Sequence, residues 1–457
     1  MSLFKRCCFM RRLLLGLTLL SFILLGCEGV NDSVDQPHNP EEICDSHYVI
    51  PVAEAIDNLK TFLESIGEPT TRCSGLDFDN VISIPHRGIS TRSANEETPL
   101  LYALNFPDDG GYAILAADRR IDDEVLAVTE KGVITCDNFE PYCSYEPSDD
   151  DDIFENQYNE MSSAGYVGTY SEENFVAGLC YSYASYASYA SIDTTFVDMP
   201  FPEPDSVDYN RWIVSKNVDC KLETIWNQGS PFNDLCPKVG WFKREKAPAG
   251  CVPIAVGQIV AYHEYPNLIC NGVKIDYSLL KAVRNIHDVD NSEDSLGIAK
   301  NYIRFLSSRN ACDVYYGKIF GISFGFALPS KAKSTFDLLG YNNVNLKWGY
   351  NENTVMKSLD SGCPVFMSAV AGIVDGHAWV IDGYKIRNYT SPEGRIDKTQ
   401  NIVHCNWGWL GNSNGYFVSG IFKTNEGVSY DYSGTPQNEK YWYLFNTITY
   451  DKPVKTD

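Results

Sequence analysis

The chain has 457 residues, of which 44% are hydrophobic and 21% charged, close to folded-protein averages; this excludes wholesale disorder and a multi-pass membrane protein and allows two or three folded units. Lys plus Arg number 37 against 60 for Asp plus Glu, and the formal charge of -23 repels phosphate, so nucleic acid is not an expected partner.

The N-terminus reads as an export signal. Lys5, Arg6, Arg11 and Arg12 precede an apolar run from Leu13 to Leu25, about 13 residues and so about 20 Å of helix, too short for a hydrocarbon core of about 30 Å. The run ends in Leu24-Leu-Gly-Cys27. This junction resembles the lipobox of bacterial lipoproteins, which implies a signal peptide over 1–26, acylation of Cys27 and a membrane partner through that lipid anchor. Removing residues 1–26 takes away four bases and no acid, so the charge falls from -23 to -27. The expected location is the outer membrane or cell surface, or the exterior after processing.

Of the 15 cysteines, Cys7 and Cys8 would leave with the signal and Cys27 would carry lipid. The other 12 form no CxxC pair, so no metal and no cofactor is expected, and no disulfide connectivity can be read from the spacing.

Residues 27–43 are polar with Pro37 and Pro40, as in a tether. Over 44–145 a small α+β domain is expected. Val52, Ile56, Leu59 and Leu63 recur at helical spacing, and the alternation in 99–117 predicts a hairpin of half-buried strands turning at Asp109-Gly110. Over 146–207 the chain carries four consecutive acids at Asp149 to Asp152, a threefold Tyr-Ala-Ser repeat from Tyr183 to Ser191, and Pro200, Pro202 and Pro204. Such composition predicts an exposed linker, with Arg211 and Lys216 available to an activating cut. Residues 208–457 are dense in Trp, Tyr and Gly, and chemistry concentrates there.

Cys251 follows Gly250 and opens an apolar run in which Val252, Ala255, Val256, Ile259 and Val260 recur at helical spacing. A thiol at a helix start faces unpaired amides that favour thiolate, and Gly250 lets a substrate backbone approach. Such a nucleophile needs a histidine base. Among seven His, His263 lies 12 residues along the same helix, roughly 18 Å away, and reads as structural. His377 stands at the mouth of a short apolar strand after Gly376, with Trp379 on the same side. Asn406, two residues beyond the secondary candidate His404, can accept from the imidazole, Trp407 can cover that bond, and Gln228 can aim an amide N–H at an oxyanion.

The segments Trp226-Asn-Gln-Gly-Ser-Pro231, Gly250-Cys-Val-Pro253, Gly376-His-Ala-Trp-Val-Ile-Asp-Gly383 and Asn406-Trp-Gly-Trp409 resemble the streptopain family of cysteine peptidases. The resemblance implies a papain-like α+β domain with Cys251 as nucleophile, His377 as base, Gln228 in the oxyanion hole and Asn406 with Trp407 at the His. Gly250, Gly376 and Trp407 are expected at the substrate. Residues 100–106 and 111–118 resemble the family's inhibitory propeptide domain, so the expected protein is a zymogen whose partners are protein or peptide substrates and its own propeptide. Two other readings stay open: a surface binding or inhibitor protein that has lost catalysis, and an acyltransferase using the same triad.

Overall fold

Among the described residues the longest strand, Asp375–Thr390, is the spine of an eleven-stranded antiparallel sheet. In the computed structural model the described residues are 48–454, apart from 75, 77–80, 86–97, 144–171, 191–210, 241–243, 286, 288–291, 320, 372–374 and 424–442. The signal, the tether, Cys27 and the acidic run at 149–152 lie outside them.

Helix α1 (Val52–Ile66) buries Ile56, Leu59, Phe62, Leu63 and Ile66 on one face and ends at Gly67, whose φ of 79° allows the cap. Strands β1 (Ile82–Pro85), β2 (Pro99–Asn105), β3 (Tyr112–Ala116) and β4 (Val125–Thr129) follow as a meander. The expected hairpin forms, with Leu101 opposite Ala116 and Asn105 opposite Tyr112. Its strands are buried on both faces, not one. The reason is helix α2 (Glu172–Ala190), which packs against β2 while α1 packs against β3 and β4.

Helix α2 corrects the expected exposed linker. Phe175, Val176, Ala177, Leu179, Cys180, Tyr181, Ser182, Ala184, Ser185 and Ser188 are all buried. Ala and Ser let the helix approach its neighbours closely, and burial around its circumference leaves no apolar stripe of helical period to read. The repeat that looked like low complexity is part of a buried helix.

The remaining strands longer than two residues are β5 (Arg211–Val218), β6 (Tyr315–Ile319), β7 (Ile322–Phe326), β8 (Asn345–Trp348), β9 (Val365–Ala371), β10 (Asp375–Thr390), β11 (Ile396–Asn406), β12 (Gly415–Val418) and β13 (Tyr443–Thr449). The sheet order is β1-β2-β3-β4-β12-β11-β10-β9-β13-β8, with β5 added to the far half of β10, and β6-β7 is a separate hairpin. Helices α3 (Cys251–His263), α4 (Glu293–Leu306), α5 (Pro329–Leu338) and α6 (Glu352–Asp360) complete the larger elements. The fold is α+β, as expected. Arg211 and Lys216 lie within β5, paired to β10 at Thr390 and Ile386, and Lys216 bonds Asp360 at 2.8 Å, so they are not the loose cut sites expected from sequence.

The N-terminal meander is continuous with the later strands. Strand β4 pairs with β12, and residues 45–457 form one compact unit. The buried Arg387 side chain on β10 bonds Ser65 of α1 at 3.0 Å and Gln400 at 2.6 Å and stacks on Phe62 and Trp212. Gln400 bonds Asp123 at 2.6 Å. Burial lowers the guanidinium pKa to about 10, so this cation depends on its partners from both parts of the chain.

Candidate active site

Helix α3 starts at Cys251 because Gly250 holds φ 97°, ψ 138°, a conformation that ends extended backbone and suits glycine. A Cβ at residue 250 would stand 3.1 Å from the Gly325 carbonyl oxygen of β7, so that hairpin braces the helix start. Tyr316 of β6 adds a hydroxyl bond to the Ala249 carbonyl at 3.3 Å. The Ala249 amide donates to the Gln228 carbonyl at 2.8 Å, which brings Gln228 to the turn before Cys251. The Leu410 amide donates to the Trp226 carbonyl at 2.9 Å, so the segments at 226, 251 and 406–410 meet.

His377 and Cys251 approach the same strand from different sides. Ala378 and Val380 belong to the core that includes α3 and Cys251, whereas Trp379 belongs to the other core with Trp407, Trp409 and Phe175. The His377 ring lies in that second group, 4.4 Å from Trp409 and 5.6 Å from Phe175 between centroids, and stacks parallel to Trp379 at 6.3 Å. The expectation that Trp379 lies beside the His holds.

The imidazole is 4% exposed, and its Nε2 is 2.8 Å from the Trp407 carbonyl oxygen. A carbonyl only accepts, so Nε2 carries the proton. Burial lowers the His377 pKa to about 4 despite the Trp407 carbonyl, which raises it. Burial likewise pushes the Cys251 thiol up, and hydrogen bonds from the backbone at Ala378, Val252 and Cys251 offset only part of that. The expected low thiol pKa is therefore corrected for this state. A helix start alone does not outweigh desolvation.

Asn406 also departs from expectation. Its Oδ1 accepts from Gln258 Nε2 and the Gly408 amide, each at 3.2 Å, and its Nδ2 donates to the Thr224 carbonyl at 2.7 Å. The Trp407 carbonyl takes the place at the imidazole that was expected for Asn406. Gln258 Oε1 in turn accepts from Thr224 Oγ1 at 2.9 Å, closing a buried ring of bonds between α3 and the end of β11. Trp407 has no exposure and packs on Phe175, Trp379 and Phe417, so it does not face a substrate here. Gly376, by contrast, is exposed.

Sequence reading missed Phe175 and Thr224 and gave Gln258, which opens the segment Gln258-Ile-Val-Ala-Tyr-His263 that also resembles the family, no role. Gln258 had a visible signal, a lone polar residue inside an apolar helix; Phe175 had none, because its helix is not amphipathic. His263 is the structural histidine expected, 3.1 Å from the Tyr450 hydroxyl.

The model of the peptidase C10 family matches residues 226–300 and 317–417, which contain Cys251, His377 and Asn406. These segments, less than half of the chain, are similar to the peptidase C10 family. The chain is a cysteine-type peptidase. Streptopain from Streptococcus pyogenes is 24% identical over 451 residues, spanning 88% of this chain and 91% of the relative. The thiol protease/hemagglutinin PrtT of Porphyromonas gingivalis is 26% identical over 212 residues, 42% of this chain and 22% of that protein. Among solved structures, a fragment of Prevotella intermedia prointerpain A covers 79% of this chain and 98% of its own at 18% identity with a TM-score of 0.46. Active interpain A from the same organism covers 51% of this chain and 95% of its own, at 20% identity with a TM-score of 0.35.

Proposed function

We propose that this chain is the latent precursor of an exported cysteine endopeptidase, held inactive by the packing of Phe175 on His377. The observation that carries this reading is the separation of the reactive pair: the imidazole is caged among Phe175, Trp379, Trp407 and Trp409, while Cys251 sits by the Ala378 amide with a raised pKa. Phe175 comes from α2, upstream of the family match. A cut between α2 and β5 followed by loss of α2 removes one wall of the cage.

In the released enzyme His377 turns its Nδ1 to the Cys251 thiol and its Nε2–H to Asn406. The imidazole takes the thiol proton, the thiolate attacks the peptide carbonyl, and the oxyanion receives the Cys251 amide and the Gln228 side chain. His377 then protonates the leaving amine, and water hydrolyses the acyl-enzyme. Casein digestion by processed but not uncut protein, unchanged by an added amine acceptor, tests this reading. Amine incorporation in place of hydrolysis would favour acyl transfer, and no turnover of either kind would favour a binding protein.

The cage also gives latency a pH dependence. A caged pKa of about 4 against an ordinary 6.5 means the neutral ring favours the closed form. That stabilisation is whole above about pH 6.5 and is lost as the pH falls toward about 4, by about 3 kcal/mol at most. In full-length Cys251→Ala protein, hydrogen exchange in α2, corrected for intrinsic pH effects, is expected to be faster at about pH 5 than at about pH 7.5. His377→Leu should remove that part of the pH dependence; an unchanged profile would refute the link.

The precursor is further proposed to be lipid-anchored through Cys27. The basic segment, short apolar run and Leu-Leu-Gly-Cys27 junction support it. Mass spectrometry of the mature N-terminus is expected to find acylated Cys27; an unmodified N-terminus elsewhere would reject the anchor.

A further inference from the structure

A second cluster of reactive side chains lies away from Cys251, where the end of β5 meets β10 and β11. Asp382 occupies an irregularity in β10, where pairing with β11 shifts between Ile381 and Gly383. His404 sits on β11 opposite Gly383, and Cys220 follows β5. A Cβ at residue 383 would stand 2.9 Å from the Val218 carbonyl oxygen and 3.0 Å from the Cys220 nitrogen, so glycine is what lets the Cys220 backbone lie on β10.

Asp382 Oδ2 accepts from the amides of Lys221 and Leu222 at 3.2 and 3.0 Å, which fixes the carboxylate. Its Oδ1 is 2.6 Å from His404 Nδ1. Tyr416 Oη is 3.7 Å from Cys220 Sγ, and His404 Nε2 is 3.3 Å from Glu130 Oε1 at the end of β4. One donor atom each from Cys220, Asp382 and His404 lie within 4.8 Å of one another.

We propose that Cys220, Asp382 and His404 bind a thiophilic divalent transition-metal ion of the Zn²⁺ class, with water in the open fourth position and Glu130 as the outer partner of the other His404 ring nitrogen, Nε2. The donor set decides the class. Mixed sulfur, nitrogen and oxygen ligands suit Zn²⁺ or Co²⁺, whereas Mg²⁺ and Ca²⁺ take oxygen alone. Asp382 and His404 are 1% and 5% exposed while Cys220 is exposed, so the site has a rigid floor and an open entrance. The two backbone amides on Asp382 and the Tyr416 hydroxyl near the sulfur supply the outer contacts that orient metal ligands.

Metal binding takes the thiolate and the neutral imidazole, so protons pass to solvent as the ion enters. Glu130 follows β4, so its contact with His404 Nε2 ties the N-terminal meander to the outer shell of the site. Sequence spacing gave no hint, because the ligands come from three separate segments.

The test uses full-length Cys251→Ala protein, which lacks the catalytic thiol, titrated anaerobically with Co²⁺. The expected result is one saturable equivalent with a thiolate-to-cobalt charge-transfer band and tetrahedral d–d intensity, displaced by Zn²⁺. Cys220→Ser should abolish the charge-transfer band, and Glu130→Gln should weaken binding by about 10- to 100-fold. X-ray absorption of the Zn²⁺-loaded Cys251→Ala protein should show one sulfur at about 2.3 Å. Absence of saturable binding, a charge-transfer band that survives Cys220→Ser, or a shell without sulfur would each overturn the site. These readouts are independent of proteolysis, so their failure would leave the peptidase reading untouched.

Discussion

Full-length protein carrying Phe175→Ala is expected to hydrolyse a fluorogenic peptide before any chain cleavage, whereas the unsubstituted precursor is expected to be nearly silent. Phe175 is 1% exposed and meets His377, Trp379, Trp407 and Trp409 edge-on, with centroids 5.6 to 6.4 Å apart. Truncating a phenylalanine buried in this way costs about 3–5 kcal/mol. At about 1.4 kcal/mol per factor of ten, the closed form loses about two to three and a half orders of magnitude of its advantage. The imidazole gains space and water, so its pKa should rise from about 4 toward 6.5. Histidine NMR reads that shift directly. A Phe175→Ala protein that stays silent with an unchanged His377 titration would show that the aromatic cage does not hold latency.

The second large effect falls on the processed enzyme. Cys251→Ser and His377→Ala are each expected to lower kcat by about 10³-fold or more with the fold intact, because the two side chains act as one unit and removing either leaves no nucleophile–base pair. The double variant should be no worse than either single one by more than about tenfold. Asn406→Ala acts differently. It removes the partners of Gln258 Nε2 and the Thr224 carbonyl, so it should lower stability as well as kcat. Single-turnover kinetics beside thermal melts separate the two kinds of loss.

The sequence made the reactive residues legible because each stands at an element boundary. Gly250 before an apolar helix and Gly376 before an apolar strand are local signals, and the structure brings both segments together through Ala378. It could not reveal which way the His377 ring points, since that depends on Phe175, which lies 202 residues upstream in a helix without apolar periodicity. Asn406 was legible as a residue near the His, but its bonds were not. The Gln258 and Thr224 contacts that hold it arise from tertiary packing alone. The hairpin at 99–117 was legible through its turn, while burial of both its faces followed from α2, whose Ala and Ser residues imitate a linker.

The most direct measurement is the alkylation rate of Cys251 against pH, read by mass spectrometry of its own peptide so that exposed Cys136 and Cys220 do not interfere. In uncut protein, slow alkylation that rises only at alkaline pH is expected, as for a half-buried thiol with a raised pKa and no base. In processed protein, alkylation should be faster by about two orders of magnitude near neutral pH and should fall back in His377→Ala. Equal rates and equal pH profiles for Cys251 in the uncut and processed proteins would contradict the separation of Cys251 from His377 on which the proposed latency rests.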